Sequence, residues 1–405
     1  MKPLHYYFLG TGAWFLFYGI HTVSFAWIVT IVLNESATMV ALAQMGFLIP
    51  ATLLMLIGGS LADQLGGRKV AIIGHVMASI APLFLSLVVY LDYLTFGMVL
   101  VFAVIMGCAQ ALVTPARDGL LALVAEGQIQ QRVVQVSMIQ FGIQMLGFFA
   151  ASFADQLGIL YILGLQFALL FFGTITFIKL KVPHTAPDRL GNSMFKQVAI
   201  SMGEGFRTVV ASPSMRAVVI QNCAMGVFFM GSYMVTVPIM IREVFAGSSA
   251  ELSWVNIANS LGLVTMTFLL MRMSDIQRQG RALLVAQGFG AICLFTAGLN
   301  LGFHAFIFSI FCWGMFGGIA MTMSRTIMQQ QAPIDQRARM MGFYSFSFMG
   351  SGPIGALLSG IMVEYFGPQT AIIISCAGML CVVIIVSSRS SLWHLDAREL
   401  STPPS

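Results

Sequence analysis

Charge is the property that this sequence has least of. Only 9% of its 405 residues are Asp, Glu, Lys or Arg, whereas soluble domains carry roughly 25%. The 15 acidic residues all fall at or beyond the ends of long apolar stretches, and none is expected near the middle of one. This distribution excludes an ordinary soluble domain and indicates a chain that lies mostly in lipid.

Several kinds of chemical site are also missing. The six cysteines fall inside apolar stretches without any CxxC pair, so we expect neither a disulfide nor a metal cage. Two Met-x-Met pairs, which begin at Met271 and Met321, have no Cys or His at ligand spacing, so no metal site is predicted. Neither a Walker-type phosphate loop nor a nucleophile–base pair is recognisable in the sequence. An ATP-driven pump and an enzyme are therefore disfavoured, and we expect no cofactor.

Apolar residues are abundant instead, at 58% of the chain. Twelve apolar runs of about 20 residues recur, each enough to cross a hydrocarbon layer of ~30 Å. Only Lys2 precedes the first run and no small-residue cleavage site follows it, so it is predicted to be an anchored span and not a signal peptide. The sequence therefore predicts an all-α integral membrane protein with twelve transmembrane helices, over residues 7–33, 38–60, 70–91, 96–116, 133–154, 157–178, 214–241, 252–271, 282–303, 304–324, 340–361 and 369–388.

The basic residues predict the orientation. With the N-terminus in the cytoplasm, every Lys and Arg except Arg242 falls on the cytoplasmic side. This asymmetry follows the positive-inside rule, so the net charge of +5 reflects topology and no nucleic-acid partner is expected. We predict a multi-pass protein of a bacterial-type inner membrane, with both termini cytoplasmic and membrane lipids around it.

Two halves of the chain are predicted to be related. Residues 1–180 form an N-terminal six-helix half, 181–213 a cytoplasmic linker with an amphipathic helix, 214–388 a C-terminal six-helix half and 389–405 a cytoplasmic tail. The glycine pair Gly142 and Gly147 recurs 208 residues later as Gly350 and Gly355, and Arg117 recurs as Arg325. The two halves are therefore predicted to be pseudo-symmetric.

The link between the second and third spans carries the clearest motif. It runs Gly59-Ser-Leu-Ala-Asp-Gln-Leu-Gly-Gly-Arg-Lys69, with an acid before two glycines and two bases after them. The motif resembles that of the major facilitator superfamily at this loop, with Gln64 in place of the usual first Arg. The resemblance covers about residues 1–390. It implies two parallel six-span repeats with a binding site near the midplane between them. It also implies that the protein acts as a monomer.

Two further stretches resemble one particular branch of the superfamily. Thr114-Pro-Ala-Arg117-Asp118 after span 4 and Gly352-Pro-Ile-Gly355 in span 11 resemble the branch that contains enterobactin exporters and macrolide-efflux proteins. That resemblance implies efflux of a mid-sized organic molecule. Span 5 reads Gly142-Ile-Gln-Met-Leu-Gly147, without the proline that antiporters of the superfamily usually carry there.

Charged residues at the cytoplasmic ends of the spans are candidates for a gate. We expect Asp63 to pair with Arg68 or Arg117 and so to stabilise the outward-facing state. The alternative is that these charges form no gate and only follow the positive-inside rule. Asp275, Arg281 and Arg325 would form a weaker mirror gate. The predicted gate residues are Asp63, Arg68, Lys69, Arg117, Asp275, Arg281 and Arg325.

Polar and aromatic side chains inside the spans are candidates for substrate binding. Uncharged amides within a span are costly unless they face protein or water, and the members of span 1 share one helical face. They could touch substrate or only bond neighbouring helices. The predicted substrate-binding residues are Trp14, Tyr18, His21, Thr22, Phe25, Gln110, Gln140, Gln144, Gln221, Asn222, Met225, Phe229, Tyr233 and Asn256.

A proton-coupled exporter needs a group that titrates. No carboxylate is expected at the midplane, so His21 is the leading candidate for proton coupling and Asp155 the second. An unperturbed histidine has a pKa near 6.5, and modest shifts let it exchange a proton near neutral pH. His21 could instead only hydrogen-bond a neighbouring helix.

The function predicted from these features is secondary active export of an organic small molecule, siderophore-like or drug-like, by alternating access and in exchange for protons. An importer or uncoupled facilitator on the same fold is the main alternative. A non-transporting member, such as a lipid scramblase or a sensor, is the third.

Overall fold

The structure, a computed structural model, describes residues 3–125, 129–182, 203, 206–272, 276–332 and 337–395. The regular secondary structure within these ranges is helical. The side chains of Leu56, Asp63, Ile129, Gln130, Val134 and residues 337–339 are outside the described set.

Within each described range, the helices follow one another with short connections. Three π-helical segments, Ile28–Val32, Met225–Met230 and Ser232–Thr236, continue or interrupt the α-helices. A 3-10 turn at Ser391–His394 follows the last helix. In chain order the α-helices are α1 (Pro3–Trp27), α2 (Ala37–Leu53), α3 (Met55–Leu65), α4 (Gly67–Tyr90), α5 (Phe96–Val124), α6 (Ile129–Ala151), α7 (Ala154–Leu157), α8 (Ile159–Lys179), α9 (Pro213–Ala224), α10 (Val237–Glu243), α11 (Ser249–Arg272), α12 (Gln279–Gly298), α13 (Phe303–Gln331) and α14 (Arg337–Arg389).

Ten of the described helical segments are long and apolar enough to cross a membrane. One of them spans Met340–Arg389 and has 50 residues, but Gly367 breaks its helical geometry with a φ of 76°, so it contains two crossings. Helices α2 and α3 join through Leu54, whose backbone is itself helical, and together they make one more crossing. The described chain therefore accounts for the twelve crossings that the sequence predicts.

The chain forms two compact units. The first contains residues 1–195 and 246–256, and the second contains residues 196–245 and 257–405. The first unit thus includes the beginning of α11, which belongs in sequence order to the second half. Most of the predicted amphipathic helix of the linker lies outside the described residues, although residues 206–211 are helical.

Glycine allows close helix contacts in both units, and the repeated glycine makes one of them in each. A Cβ on Gly147 of α6 would lie 2.4 Å from the carbonyl oxygen of Leu16 in α1. In the second unit, a Cβ on Gly355 of α14 would lie 2.4 Å from the carbonyl oxygen of Val227. Only glycine lets two helix backbones approach this closely. The glycine that the sequence repeats after 208 residues therefore has the same packing role in both units.

Two of the sharpest turns have the same sequence. The tetrapeptide Asp-Gln-Leu-Gly occurs at 63–66 and again at 155–158. Gly66 has a φ of 87° and Gly158 a φ of 84°, a region that glycine enters without the steric cost of a Cβ. Each turn ends one helix and starts the next, α3 to α4 and α7 to α8.

Candidate functional site

A histidine surrounded by aromatic rings lies inside the first unit. His21 is only 4% exposed and stacks between Phe17 and Phe25 of its own helix, each ring centroid 5.5 Å away. Phe47 of α2 and Phe102 of α5 complete the surround at 5.8 and 5.5 Å. The Nδ1 atom of His21 is buried and has no hydrogen-bond partner among the described residues. The imidazole thus keeps an unused polar atom in an apolar setting, which is costly for folding alone.

The other predicted residues of α1 have different surroundings. Trp14 is buried, and its ring lies edge-on to His75 of α4 with centroids 5.1 Å apart. Tyr18 and Thr22 are half-buried, and the Thr22 hydroxyl donates to the Tyr18 carbonyl over 2.8 Å. Trp14 therefore serves packing between helices, and Thr22 bonds within its own helix.

The amides of the first unit divide into two groups. Gln110, Gln140 and Gln144 are half-buried on α5 and α6, and Gln110 Oε1 has no partner among the described residues. Gln166 of α8, which was not predicted from the sequence, is fully buried and donates to the Ser24 hydroxyl over 2.8 Å. Its only sequence signal is an amide in the middle of an apolar run. Gln166 and Ser24 tie α8 to α1.

Two adjacent amides in the second unit behave differently. Asn222 donates through Nδ2 to the carbonyl oxygen of Tyr344 and to the hydroxyl of Ser347, each over 2.9 Å, and so ties α9 to α14. Gln221 is fully buried, and neither atom of its amide has a partner among the described residues. A buried amide without partners costs free energy, so Gln221 is the better candidate of the two for contact with a polar solute.

The helix after Asn222 is π-helical over two segments, Met225–Met230 and Ser232–Thr236. π-helical turns are rare and frequently occur at functional sites. Phe229 and Tyr233 both contact the ring of Trp313 in α13, with centroids 5.6 and 5.5 Å apart. Met225 is buried in the same segment. Trp313 was not predicted from the sequence, although a lone Trp in a span could have indicated it.

Asn256 lies in α11 and is half-buried. Its Nδ2 donates to the Leu252 carbonyl one turn earlier over 2.8 Å. This contact satisfies one polar atom of the side chain within its own helix.

The predicted gate residues of the first unit have specific partners. Arg68 donates through Nε to the carbonyl of Phe177 over 3.1 Å and through Nη2 to the carbonyl of Ile178. It thereby caps the C-terminal end of α8, where carbonyl groups lack helical partners. Lys69 is exposed. The Asp63 side chain lies outside the described set, so the predicted ion pair with Arg68 or Arg117 stays a prediction.

Arg117 is almost completely buried. It is 6% exposed, and its guanidinium lies 4.5 Å above the ring of Phe15. Asp118 is its ion-pair partner at 3.5 Å, and that carboxylate is mostly exposed. Arg117 Nε and Nη1 have no partners among the described residues. A buried charge that is only partly paired is costly. We therefore expect the Arg117 guanidinium to donate to a further acceptor.

The corresponding residues of the second unit are less enclosed. Arg281 lies 5.1 Å above the ring of Trp393, and Arg325 is exposed. Asp275 lies outside the described residues. The mirror gate therefore stays a prediction as well.

Asp155 lies in the short helix α7, between two spans and at the protein surface. Both of its carboxylate oxygens accept hydrogen bonds. Burial by itself would raise the pKa of this carboxyl, but the hydrogen bonds from Ser249, Trp27 and Ser248 outweigh it and lower the pKa below the usual 3.8. Hydrogen bonds to the charged form always act in this direction. Asp155 is therefore ionised at neutral pH.

Metal binding has no support in the described part of the chain. No group of three or more His, Cys, Asp or Glu side chains is close enough there to hold an ion. The six cysteines are unbridged.

Comparison with known proteins gives a consistent set of relatives. Residues 10–403 match the family described as "Transmembrane secretion effector". The multidrug efflux pump Tap of Mycolicibacterium fortuitum is 23% identical over 397 residues, covering 93% of each chain. The uncharacterized MFS-type transporter YfiS of Bacillus subtilis (strain 168) is 22% identical over 393 residues, covering 91% of this chain and 88% of YfiS.

A solved structure shares the fold. A POT family transporter in complex with a thioalcohol conjugated peptide matches with a TM-score of 0.76 and 13% identity, over 98% of this chain and 96% of that chain. At this identity the likeness concerns the arrangement of helices and carries no information on substrate.

Proposed function

Because the chain belongs to the transmembrane secretion effector family of the major facilitator superfamily, we propose that it is a secondary active transporter that exports an organic small molecule across the inner membrane. The predicted fold class is confirmed, and the chain is a multi-pass transport protein and not an enzyme. The direction, the substrate and the coupling are our proposals. Export is supported by the description of the family as a secretion effector and by the name of Tap, a multidrug efflux pump.

The observation that carries the substrate class is the chemistry of the buried polar residues. Among those in the described chain, Arg117 is the one with a formal charge at neutral pH if histidines are neutral. The others are hydroxyl, amide and imidazole groups, accompanied by aromatic rings around His21 and beside Tyr233. Such groups suit an amphipathic solute that is uncharged or zwitterionic. We therefore propose a drug-like or siderophore-like molecule with an aromatic or macrocyclic body.

Export is proposed to proceed by alternating access in exchange for protons. His21 is our first candidate for the exchanging group because it combines burial with an unpartnered Nδ1. Asp155 is the second candidate from the sequence, but its hydrogen bonds favour the ionised form, which argues against proton exchange near neutral pH. The π-helical turns at Met225–Met230 and Ser232–Thr236 give the segment beside Trp313 a backbone suited to local rearrangement.

The experiment is a transport assay in cells that lack their own major efflux pumps. Cells are preloaded with an uncharged macrocyclic lactone or with a neutral, metal-free catechol siderophore, and efflux is followed with and without the protein. We expect faster efflux of at least one probe when the protein is present. Greater accumulation in the presence of the protein would instead establish uptake and overturn the export proposal.

A matched pair of tyrosine variants tests the site. Tyr233→Ala removes a half-buried ring that contacts Trp313, and we expect it to lower efflux about tenfold, since loss of an aromatic contact in a site is worth about 1 kcal/mol or more. Tyr161→Ala removes a ring that is 74% exposed on α8 and should leave efflux unchanged. Equal effects of the two variants would contradict the placement of the site.

A further inference from the structure

The loop between α6 and α8 and the start of α11 meet at one carboxylate. Asp155 Oδ1 accepts the indole N–H of Trp27 over 2.7 Å, and Oδ2 accepts the backbone N–H of Ser249 over 2.7 Å. In return, the backbone N–H of Asp155 donates to the Ser249 hydroxyl over 3.2 Å, and that hydroxyl also donates to the Ser152 carbonyl over 3.2 Å. Three separate parts of the chain thus meet within the first unit.

The local sequence of α11 does not need this contact in order to start a helix. Ser248 accepts the Ala250 N–H over 3.2 Å, and Glu251 accepts the Ser248 N–H over 2.7 Å. The Glu251 contact is one half of a capping box, and the Ser248 hydroxyl takes the donor at the second helical position, so the helix N-terminus is capped by its own residues. Ser249 N–H, the donor between them, is satisfied from outside by Asp155. The external cap therefore adds a connection that helix formation alone does not require.

The charges around Asp155 favour a connection that can be made and broken. The carboxylate is at the surface, while Ser249 is fully buried and Trp27 is 4% exposed. The N-terminal end of α11 attracts a negative charge, and the carboxylate of Glu251 on the same helix repels it. From α1 the contact is the neutral indole of Trp27, and the loop of α7 contributes the Ser152 carbonyl. The contact is thus a charge-assisted bond of moderate strength with access to water.

We propose that Asp155, Trp27 and Ser249 form a latch that closes the external end of the transport path, and that this latch must break before the path can open outwards. The inference rests on the proposed function, because a latch of this kind acts only in a protein that alternates between two states. Asp155 is a positioning residue in this scheme: it holds the start of α11 against Trp27 and the loop at 152–155. Loss of its charge shifts the population towards the outward-open state.

The test measures exposure of a residue beneath the latch. Ser253 lies one turn into α11, is fully buried and donates to the Ser249 carbonyl over 2.8 Å. Ser253→Cys is made in a full-length chain whose six native cysteines are replaced by alanine. Intact cells are labelled with a membrane-impermeant maleimide, and the initial labelling rate is measured. Asp155→Asn should raise this rate about tenfold, which corresponds to about 1.4 kcal/mol in the opening equilibrium.

Two controls make the result specific. Asp92→Asn changes another exposed carboxylate, on the loop between α4 and α5 at the same end of the first unit, and should leave the labelling rate unchanged. Ser375→Cys reports on a fully buried position in α14 and should stay unlabelled in the Asp155→Asn background. If Ser375→Cys also became reactive, general loosening would explain the effect and the latch would be refuted.

Two further variants separate the latch from a merely structural role. Trp27→Phe keeps an aromatic side chain, although a smaller one, and removes the N–H donor. We therefore expect a smaller rise in Ser253→Cys labelling and a non-additive double variant with Asp155→Asn. Asp155→Glu keeps the negative charge, so its labelling rate should lie between those of the wild type and Asp155→Asn. An unchanged rate in Asp155→Asn would overturn the proposal even if export is observed. A raised rate in a protein that exports none of the probes would support the latch and count against the proposed function.

Discussion

His21 combines a titratable ring with a surrounding that is almost entirely aromatic. Polar ionisable groups inside a membrane are rare because they are expensive, and they usually have a function. One alternative is that His21 only bonds a neighbouring helix. Its Nδ1 has no such partner among the described residues, so that alternative does not account for this nitrogen. A role in proton exchange remains our proposal.

Purified protein in liposomes with an imposed pH gradient tests the role of His21. We expect gradient-driven transport in the wild type and loss of at least about tenfold in His21→Gln, because glutamine keeps a polar side chain but does not exchange a proton near neutral pH. The control is His304→Gln, which changes an exposed histidine in α13 and should transport normally. Unchanged gradient-driven flux in His21→Gln would remove His21 from the coupling mechanism, and no response of the wild type would refute proton antiport.

At the scale of helices, the repeated glycine contact coincides with backbone irregularity in only one of the two units. Gly147 meets α1 near Leu16 and Gly19, where the helix is regular. Gly355 meets the π-helical segment Met225–Met230, at Val227 and Gly226. The same repeated glycine therefore packs against a regular helix in one unit and an irregular helix in the other. Only the second contact involves a backbone that is suited to local rearrangement.

Substitution of these glycines has a matched control on the same helices. Gly147→Ala and Gly355→Ala place a methyl group 2.4 Å from a backbone oxygen, which cannot move aside as a side chain would, so we expect a loss of about 1–3 kcal/mol. Gly142→Ala meets nothing within 4 Å and Gly350→Ala meets only ring atoms at 3.5 Å or more, so these variants should be neutral or up to about 1 kcal/mol more stable. Thermal unfolding in detergent measures all four. The idea fails if Gly147→Ala is as stable as Gly142→Ala.

At the scale of the whole molecule, the distribution of basic residues is the main determinant of orientation. Every Lys and Arg except Arg242 lies on one side of the predicted spans. Basic residues in short loops are retained in the cytoplasm. We therefore propose that the loop with Lys69 faces the cytoplasm and the loop with Asp92 and Tyr93 faces outwards.

Cysteine labelling in intact cells checks this orientation. Tyr93→Cys changes a side chain that is 69% exposed and should react with an impermeant maleimide. Lys69→Cys, also at an exposed position, should react only after the cells are permeabilised. Both are made in the background without native cysteines. The reverse pattern of labelling would invert the proposed topology and, with it, the assignment of the Asp155 latch to the outside.

The sequence alone determined the class of protein, the spans and the repeat. Those properties follow from length, hydropathy and spacing, which are local and survive without tertiary contacts: a run of about 20 apolar residues spans the bilayer whatever its neighbours are. The hairpin of 59–69 was enough to identify the superfamily by resemblance, and the glycines at 147 and 355 could be paired by their offset alone.

The tertiary structure decided the partner of each polar side chain, because a partner more than 100 residues away leaves no trace in local sequence. The span position made Asn222 and Gln221 look alike, yet Asn222 bonds α14 and Gln221 has no partner among the described residues. The hairpin suggested that Asp63 pairs with Arg68 or Arg117, which stays a prediction. Folding also brings the Arg68 guanidinium to the carbonyls that end α8, and this contact could not be read from the hairpin. Asp155 was predicted only as a titratable acid. Its role as a cap for α11 depends on folding, which brings Ser249 and Trp27 to its two oxygens.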